Sequence, residues 1–158
     1  MFPELERALC ETDSIVYLCS GNVVRSAFAE IYTRHLGCPR PVRSAATVYR
    51  NPRIFSVTVE ALLARGVAPE AIRSFRPEHL EDLRPRLSER PLFLAMRRMH
   101  IEALGAADRE HAWLLGEVLS PGEEIADPVE EGAEFEWTFA RIARSVEALV
   151  LYLSVEGR

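Results

Sequence analysis

Apolar and polar positions follow two different periods along this chain. Short runs in which apolar or β-branched residues predominate have the length and composition of strands inside a sheet. Longer segments place apolar residues at intervals of three and four, which is the spacing of an amphipathic helix. The predicted strands cover residues 15–18, 42–46, 91–96 and 112–115, and the predicted helices cover residues 27–36, 54–65, 97–104 and 133–155.

The order of these elements predicts the fold class. Strands that alternate with helices form βαβ units, whose crossovers place the helices on the two faces of a parallel sheet. The sequence therefore predicts an α/β protein, a three-layer α/β/α sandwich with a four-stranded parallel sheet. One domain would occupy residues 1–158, with residues 1–13 as a short N-terminal extension that forms a turn or a helix.

Composition and charge exclude several kinds of partner. The net charge of −5 offers no broad basic face, so we expect neither nucleic acid nor membrane as a partner. No apolar run approaches the ~20 residues of a membrane span, and the N-terminus lacks the pattern of a signal peptide. The cysteines at positions 10, 19 and 38 form neither an even disulfide framework nor a CxxC pair. We expect a cytoplasmic protein that is a monomer or a weak dimer.

The stretch after the first strand carries the strongest chemical pattern. The strand runs directly into Cys19, a short loop follows, and Arg25 and Ser26 open the next helix. Gly21 and Asn22 tolerate left-handed backbone angles, so the loop can curl with its N–H groups pointing inward. Amides at a helix N-terminus form an anion site, and with the helix dipole they favour the thiolate of Cys19. The predicted phosphate-binding residues are Ser20, Gly21, Asn22, Val23, Val24, Arg25 and Ser26.

A cysteine and an arginine separated by five residues are weak evidence alone, because this spacing arises readily by chance in an arginine-rich chain. Its weight comes from the strand before Cys19, the residues Gly21 and Asn22 inside the loop, and the helix that follows. The structural alternative is a buried cysteine at a strand end, which is a common place for this residue. The context favours a nucleophile inside a phosphate cradle.

The segment from Cys19 to Ser26 resembles the phosphate-binding loop (Cys-x5-Arg) of the low-molecular-weight protein tyrosine phosphatases, and the likeness extends over about residues 14–153. Asp127 and Pro128, just before the last predicted helix, stand where that family keeps its general acid. The resemblance implies a phosphotyrosine phosphatase I-like fold and a metal-independent hydrolase without a cofactor. It also implies hydrolysis of phosphomonoesters, foremost protein phosphotyrosine, through a phosphocysteine intermediate. The substrate would be a phosphorylated protein or a small phosphomonoester.

The same resemblance assigns roles to the site residues. Cys19 would attack phosphorus, Arg25 would bind the phosphoryl oxygens, and Asp127 would protonate the leaving group. Support for the loop would come from Asn22, Ser26 and Ser44. Ser44 would hydrogen-bond Asn22, although a strand-end hydroxyl without that role is an open alternative.

Several positions depart from the family pattern. The second cysteine of the loop is replaced by Val24, so a protective disulfide with the nucleophile cannot form. The aromatic residue after Asp-Pro is replaced by Val129, and a tryptophan-type position falls at Arg50, beside Tyr49. An aspartate common after the third strand is replaced by Arg97. We place Tyr49, Arg50, Val129 and Arg97 at the substrate mouth and expect its wall to be less aromatic than is usual in the family.

Relatives of the same fold leave other functions open. Protein-arginine phosphatases carry a threonine where this chain has Val23, so the apolar residue argues against phosphoarginine. Thioredoxin-coupled arsenate reductases need further cysteines near the third strand, and this chain has none after Cys38. A phosphatase of small aryl phosphates remains an alternative, as does a phosphate-binding or interaction module without turnover.

The histidines carry no metal pattern. They lack the spacing of metal ligands, and we expect them to be ordinary surface or half-buried residues. They are His35, His79, His100 and His111.

Overall fold

The computed structural model describes residues 1–156 of the chain. The strands are β1 at Ser14–Cys19, β2 at Val42–Ala46, β3 at Pro91–Ala95 and β4 at Ala112–Leu114. They pair in parallel in the order β2-β1-β3-β4, which confirms the predicted sheet. Both central strands, β1 and β3, are buried along their whole length, as nearly continuous apolar runs require.

Helices cover both faces of this sheet. They are α1 at Pro3–Glu11, α2 at Arg25–His35, α3 at Ser56–Ala64, α4 at Pro69–Arg73, α5 at Leu80–Leu83, α6 at Arg98–Glu102, α7 at Ala106–Arg109 and α8 at Phe135–Val155. The helices α1, α2 and α8 share the larger core cluster, whereas α5 and α6 contribute to a smaller cluster. Within the described range, no helix has both the length and the apolarity that crossing a membrane requires.

The side chains of β1 alternate between the two clusters. Ile15 and Tyr17 belong to the larger cluster, and Val16 and Leu18 belong to the smaller one. Successive strand residues point to opposite faces, so one strand fills two apolar layers. This arrangement confirms the predicted three-layer α/β/α sandwich.

Some element boundaries differ from the predictions. The helix predicted from residue 54 begins at Ser56, because Phe55 has extended backbone angles and acts as its N-cap residue. The last helix likewise begins at Phe135 instead of residue 133, since Glu134 is extended. The segment predicted as a helix over residues 97–104 is helical only over Arg98–Glu102.

The carboxyl ends of the parallel strands meet at one edge of the sheet. The carbonyl oxygen of Cys19 accepts a 2.9 Å hydrogen bond from the N–H of Thr47, which follows β2. The N–H of Met96, which follows β3, donates a 3.0 Å hydrogen bond to the carbonyl of Leu18. Ligands of open α/β sheets bind at this edge, so the loops after β1, β2 and β3 converge where a site is expected.

Candidate active site

The loop after β1 directs its carbonyl groups away from its own centre. The carbonyl of Ser20 accepts hydrogen bonds from the N–H groups of Val48 and Tyr49, at 3.1 and 2.9 Å. The carbonyl of Gly21 accepts a 3.0 Å bond from Nδ2 of Asn51. The carbonyl of Val23 accepts hydrogen bonds from the N–H of Phe55 at 3.3 Å and from the hydroxyl of Thr58 at 2.8 Å.

The N–H groups of the same loop are free. Among the hydrogen bonds of residues 1–156, the N–H groups of Ser20, Gly21 and residues 23–26 have no acceptor within the protein. Most of these residues line a cavity of about 310 Å³ whose floor contains Cys19. Unpaired N–H groups at a helix N-terminus attract an anion.

Asn22 and Gly21 shape this loop in different ways. Asn22 has a φ of 56°, in the left-handed region that asparagine tolerates better than most residues. Gly21 does not use that conformation. A Cβ atom at position 21 would lie 3.0 Å from Nδ2 of Asn51, so any larger residue there would require the Asn51 side chain to shift.

The Asn22 side chain connects the loop to the nucleophile. Its Nδ2 donates to Oγ of Ser26 and Oγ of Ser44, both at 2.8 Å. Because the Ser26 hydroxyl accepts this bond, its single proton is available for Sγ of Cys19, 2.9 Å away. The N–H of Asn22 approaches the same sulfur at 3.3 Å. The structure thus brings Cys19, the predicted nucleophile, together with the residues predicted to support the loop.

A buried carboxylate ends this chain of hydrogen bonds, and the sequence reasoning missed it. The Ser44 hydroxyl donates to Oε1 of Glu30 at 2.8 Å, and Nη1 of Arg34 lies 3.2 Å from Oε2 of Glu30. Glu30 is only 4% exposed, and burial raises its pKa against the lowering influence of Arg34 and Ser44. The available signal was an acidic residue on the apolar face of α2.

Arg25 and Asp127 meet in the cavity although more than a hundred residues separate them. Nη2 of Arg25 lies 3.2 Å from Oδ2 of Asp127, and Nη1 of Arg25 donates a 2.8 Å hydrogen bond to the carbonyl of Ile125. Arg25 is 2% exposed and Asp127 is 8% exposed. Both residues line the same cavity as Cys19.

The loop that carries Asp127 is ordered by its own hydrogen bonds. Oδ1 of Asp127 accepts a 2.8 Å bond from the N–H of Val129. The N–H of Asp127 donates to Oε1 of Glu131 at 3.2 Å, and the N–H of Glu131 donates to the carbonyl of Asp127 at 2.9 Å. Side chain and backbone therefore fix the Asp127 carboxylate close to Arg25.

The mouth of the cavity differs from the expectation in two respects. The predicted residues Tyr49, Arg50 and Val129 line it, but Arg97 does not. The wall also contains Phe55, a residue that was not predicted, so two aromatic side chains, Tyr49 and Phe55, line the mouth. The N–H of Phe55 donates a 3.3 Å hydrogen bond to the carbonyl of Val23, and this bond holds Phe55 at the cavity. No local sequence pattern predicts such a contact.

Charged groups at the mouth are largely paired. The Arg50 guanidinium forms ion pairs with Glu81 and Asp82. Across the opening, a hydrogen bond to Glu130 raises the pKa of the exposed Tyr49 hydroxyl. The positive charges of Arg50 at the rim and of Arg25 within the cavity are thus both paired with carboxylates.

His100 corrects the expectation that the histidines are surface or half-buried residues. It is fully buried, its Nδ1 accepts a 3.0 Å bond from the N–H of Arg97, and its Nε2 lies 3.0 Å from Oγ of Ser20. The first contact assigns the ring proton to Nε2, which then donates to Ser20. Burial lowers the pKa of His100 to about 3, aided by the positive charges of Arg25 and Arg97.

The described residues contain no cluster of three or more histidine, cysteine or acidic side chains arranged to hold a metal ion. A tetrahedral oxyanion can bind the free N–H groups and Arg25, directly above Sγ of Cys19. The carboxyl group of Asp127 lies 3.2 Å from Arg25 and can give a proton in its acid form or accept one as the carboxylate.

Comparison with known proteins gives a family match. The chain matches the family model described as low molecular weight phosphotyrosine protein phosphatase over residues 14–157. No curated protein matches the chain significantly.

Solved structures give a likeness of fold. A tyrosine phosphatase of Erwinia amylovora, amsI, is 22% identical, with a TM-score of 0.74 over 90% of this chain and 94% of that one. The arginine phosphatase YwlE from Geobacillus stearothermophilus is 20% identical, with a TM-score of 0.74 over 90% and 94% of the two chains. Wzb of Vibrio vulnificus, solved with benzylphosphonate, is 21% identical, with a TM-score of 0.73 over 90% and 99%.

Proposed function

The chain belongs to the low molecular weight phosphotyrosine protein phosphatase family, and on this premise we propose that it hydrolyses aryl phosphomonoesters, foremost phosphotyrosine in proteins, through a phosphocysteine intermediate. The observation that carries the proposal is that Cys19 lines a cavity together with loop residues whose N–H groups have no acceptor within the described protein. Arg25 and Asp127 complete that cavity, 3.2 Å apart.

In the first step the Cys19 thiolate attacks phosphorus in line with the leaving oxygen. The P–S bond forms while the bond from phosphorus to the leaving oxygen breaks, and Asp127 gives its proton to that oxygen. The three equatorial oxygens carry the charge of the transition state. The loop N–H groups and the guanidinium of Arg25 stabilise that charge.

In the second step water hydrolyses the phosphocysteine. Asp127, now a carboxylate, accepts a proton from the attacking water, the new P–O bond forms, and the P–S bond breaks. The Ser26 hydroxyl, 2.9 Å from Sγ, donates to the departing thiolate, so that the sulfur leaves as a stabilised anion. Inorganic phosphate then leaves the cavity.

The wall of the cavity supports an aryl ester as the substrate. Tyr49, Phe55 and Val129 form an apolar opening above the phosphate site, which suits the ring of a phosphotyrosyl side chain. A phenol with a pKa of about 10 is also a much better leaving group than an alcohol, so one general acid suffices. Phosphoarginine is the second candidate, because an arginine phosphatase is among the structures that share the fold.

A panel of substrates tests this proposal. Turnover would be measured on a phosphotyrosyl peptide, the matched phosphoarginyl and phosphoseryl peptides, and phenyl phosphate. Cys19→Ser is the blank, and Cys10→Ser is the matched control, since Cys10 is an exposed cysteine that does not line the cavity. We expect the wild type and Cys10→Ser to hydrolyse the phosphotyrosyl peptide and phenyl phosphate, and Cys19→Ser to be inactive.

Each other outcome points to a different function. Faster turnover of phosphoarginine than of phosphotyrosine would identify an arginine phosphatase that uses the same Cys19 chemistry. Binding of phosphate without turnover of any ester would identify a binding module instead. We place the reaction in the cytoplasm, because a reducing compartment keeps a catalytic thiolate active.

A further inference from the structure

Arg97 holds two carboxylates that flank the general acid in sequence. Its Nε lies 3.2 Å from Oε2 of Glu124, and its Nη1 pairs with Oε2 of Glu131. Arg97 lies two residues after the end of β3 and is the N-cap residue of α6, so its backbone is fixed between a strand and a helix. The loop from residue 124 to residue 131 carries Asp127 between these two anchors.

Glu131 transmits this contact to Asp127. One of its carboxylate oxygens pairs with Arg97, and the other accepts the N–H of Asp127 at 3.2 Å. Glu124 is held a second time, by the N–H of Arg98 at 2.9 Å. The backbone hydrogen bond from Arg98 and the charge of Arg97 lower the pKa of Glu124. For Glu131, burial acts to raise the pKa, but the hydrogen bonds from Arg97 and Asp127 outweigh burial, so the pKa of Glu131 is lowered as well. Both carboxylates therefore remain charged and available to Arg97 at neutral pH.

These ion pairs contribute little to the stability of the whole protein. About a third of each participating side chain is exposed, and solvent weakens such pairs. Their local effect is larger, because a catalytic group displaced by about 1 Å can lose ~10²-fold in rate. A contact that matters little for folding can therefore matter greatly for the placement of Asp127.

We propose that Arg97 is a positioning residue for the general acid. Its ion pairs with Glu124 and Glu131 hold the loop between them, so that Asp127 is placed where it can protonate the leaving oxygen. This inference rests on the proposed function, in which Asp127 is the acid. An arginine at position 97 replaces the aspartate of the resembled family, and the two glutamates supply the opposite charges that this arginine needs.

The dependence on the leaving group tests the inference. The ratio of kcat/KM for 2,4-dinitrophenyl phosphate to that for phenyl phosphate measures the need for an acid, since dinitrophenolate leaves without protonation. Because kcat/KM reports the first chemical step, the later hydrolysis does not affect this ratio. The proteins compared are the wild type, Arg97→Met, Asp127→Asn, the double variant, and Arg98→Gln, which removes a neighbouring exposed arginine side chain but keeps its backbone N–H.

We expect Arg97→Met to raise the ratio by about 10-fold, and Asp127→Asn to raise it by about 10²–10⁴-fold. The double variant should match Asp127→Asn, because no acid is left to position. Arg98→Gln should keep the wild-type ratio. A thermal melt of each variant confirms that it is folded.

Two results would overturn the inference and leave the function intact. In the first, Arg97→Met keeps the wild-type ratio while Asp127→Asn raises it. In the second, the effects of Arg97→Met and Asp127→Asn on the ratio multiply. Failure of the proposed function looks different, because the wild type would then not hydrolyse either ester, or Asp127→Asn would leave the ratio unchanged.

Discussion

The carboxylate of Asp127 lies 3.2 Å from the guanidinium of Arg25, so the cavity holds an internal counter-ion where a phosphoryl group would bind. The two groups come from opposite ends of the chain, one at the start of α2 and the other just before α8. An incoming dianion must therefore compete with Asp127 for Arg25. In the proposed reaction, the same contact keeps the Asp127 carboxyl group next to the bound phosphoryl group.

Removal of this internal competitor should tighten the binding of anions. Asp127→Asn deletes a negative charge close to the phosphate site, and two charges about 4 Å apart interact by ~1–4 kcal/mol between water and the protein surface. We expect the dissociation constant for inorganic phosphate to fall by at least about 5-fold. Calorimetric titration of phosphate measures this change, with Glu134→Gln as the control, since Glu134 is exposed and does not line the cavity. Unchanged or weaker binding by Asp127→Asn would show that Asp127 does not oppose the anion.

Ser44→Ala should lower both the free energy of unfolding and the catalytic rate. The change leaves Oε1 of Glu30 without its donor and removes one acceptor of the Asn22 amide. An unpaired buried polar group costs ~1–3 kcal/mol, so the free energy of unfolding in urea should fall by about that amount. We also expect kcat/KM for 2,4-dinitrophenyl phosphate to fall, because Asn22 orients Ser26 toward the nucleophile. A loss of stability with full activity would restrict the network to a structural role, and Ser74→Ala, an exposed serine, serves as the control.

His100 should make the protein sensitive to acid. Its pKa is about 3 in the folded chain and 6.5 in the reference state, so between these values the unfolded chain binds more protons. The free energy of unfolding should therefore fall as the pH decreases from 6.5, by up to ~1.4 kcal/mol per pH unit. Urea unfolding of the wild type and of His100→Gln between pH 4.5 and 7 measures the difference, with His111→Gln as the control. Parallel pH profiles for the wild type and His100→Gln would contradict the buried neutral ring.

The sheet and the loop after it could be predicted from sequence because their signals are local. The apolar run of β1 ends at Cys19, and glycine, asparagine and arginine follow within a few positions. Burial on both faces of a central strand leaves a continuous pattern that needs no knowledge of distant residues. The family match then covers the same segments that the periodicity had assigned.

The residues that sequence reasoning missed act over long range. His100 reaches Ser20 across 80 positions, and Phe55 enters the mouth through a backbone bond to Val23. A lone histidine or phenylalanine carries no spacing that distinguishes such a contact from ordinary packing. Arg97 illustrates the same limit. The sequence predicted it at the mouth of the cavity, but in the structure it does not line the cavity and instead pairs with Glu131.

The proposed phosphocysteine intermediate on Cys19 can be tested by trapping it. The Asp127→Ala variant should still form it from 2,4-dinitrophenyl phosphate, whose leaving group needs no proton, but should hydrolyse it slowly because the base is absent. Rapid quenching followed by mass spectrometry of the peptides locates the phosphoryl group, and Cys19→Ala is the control. We expect one phosphoryl group on the peptide that contains Cys19 and none in the control. A phosphoryl group on another residue, or phenolate release at an unchanged rate by Cys19→Ala, would contradict this expectation.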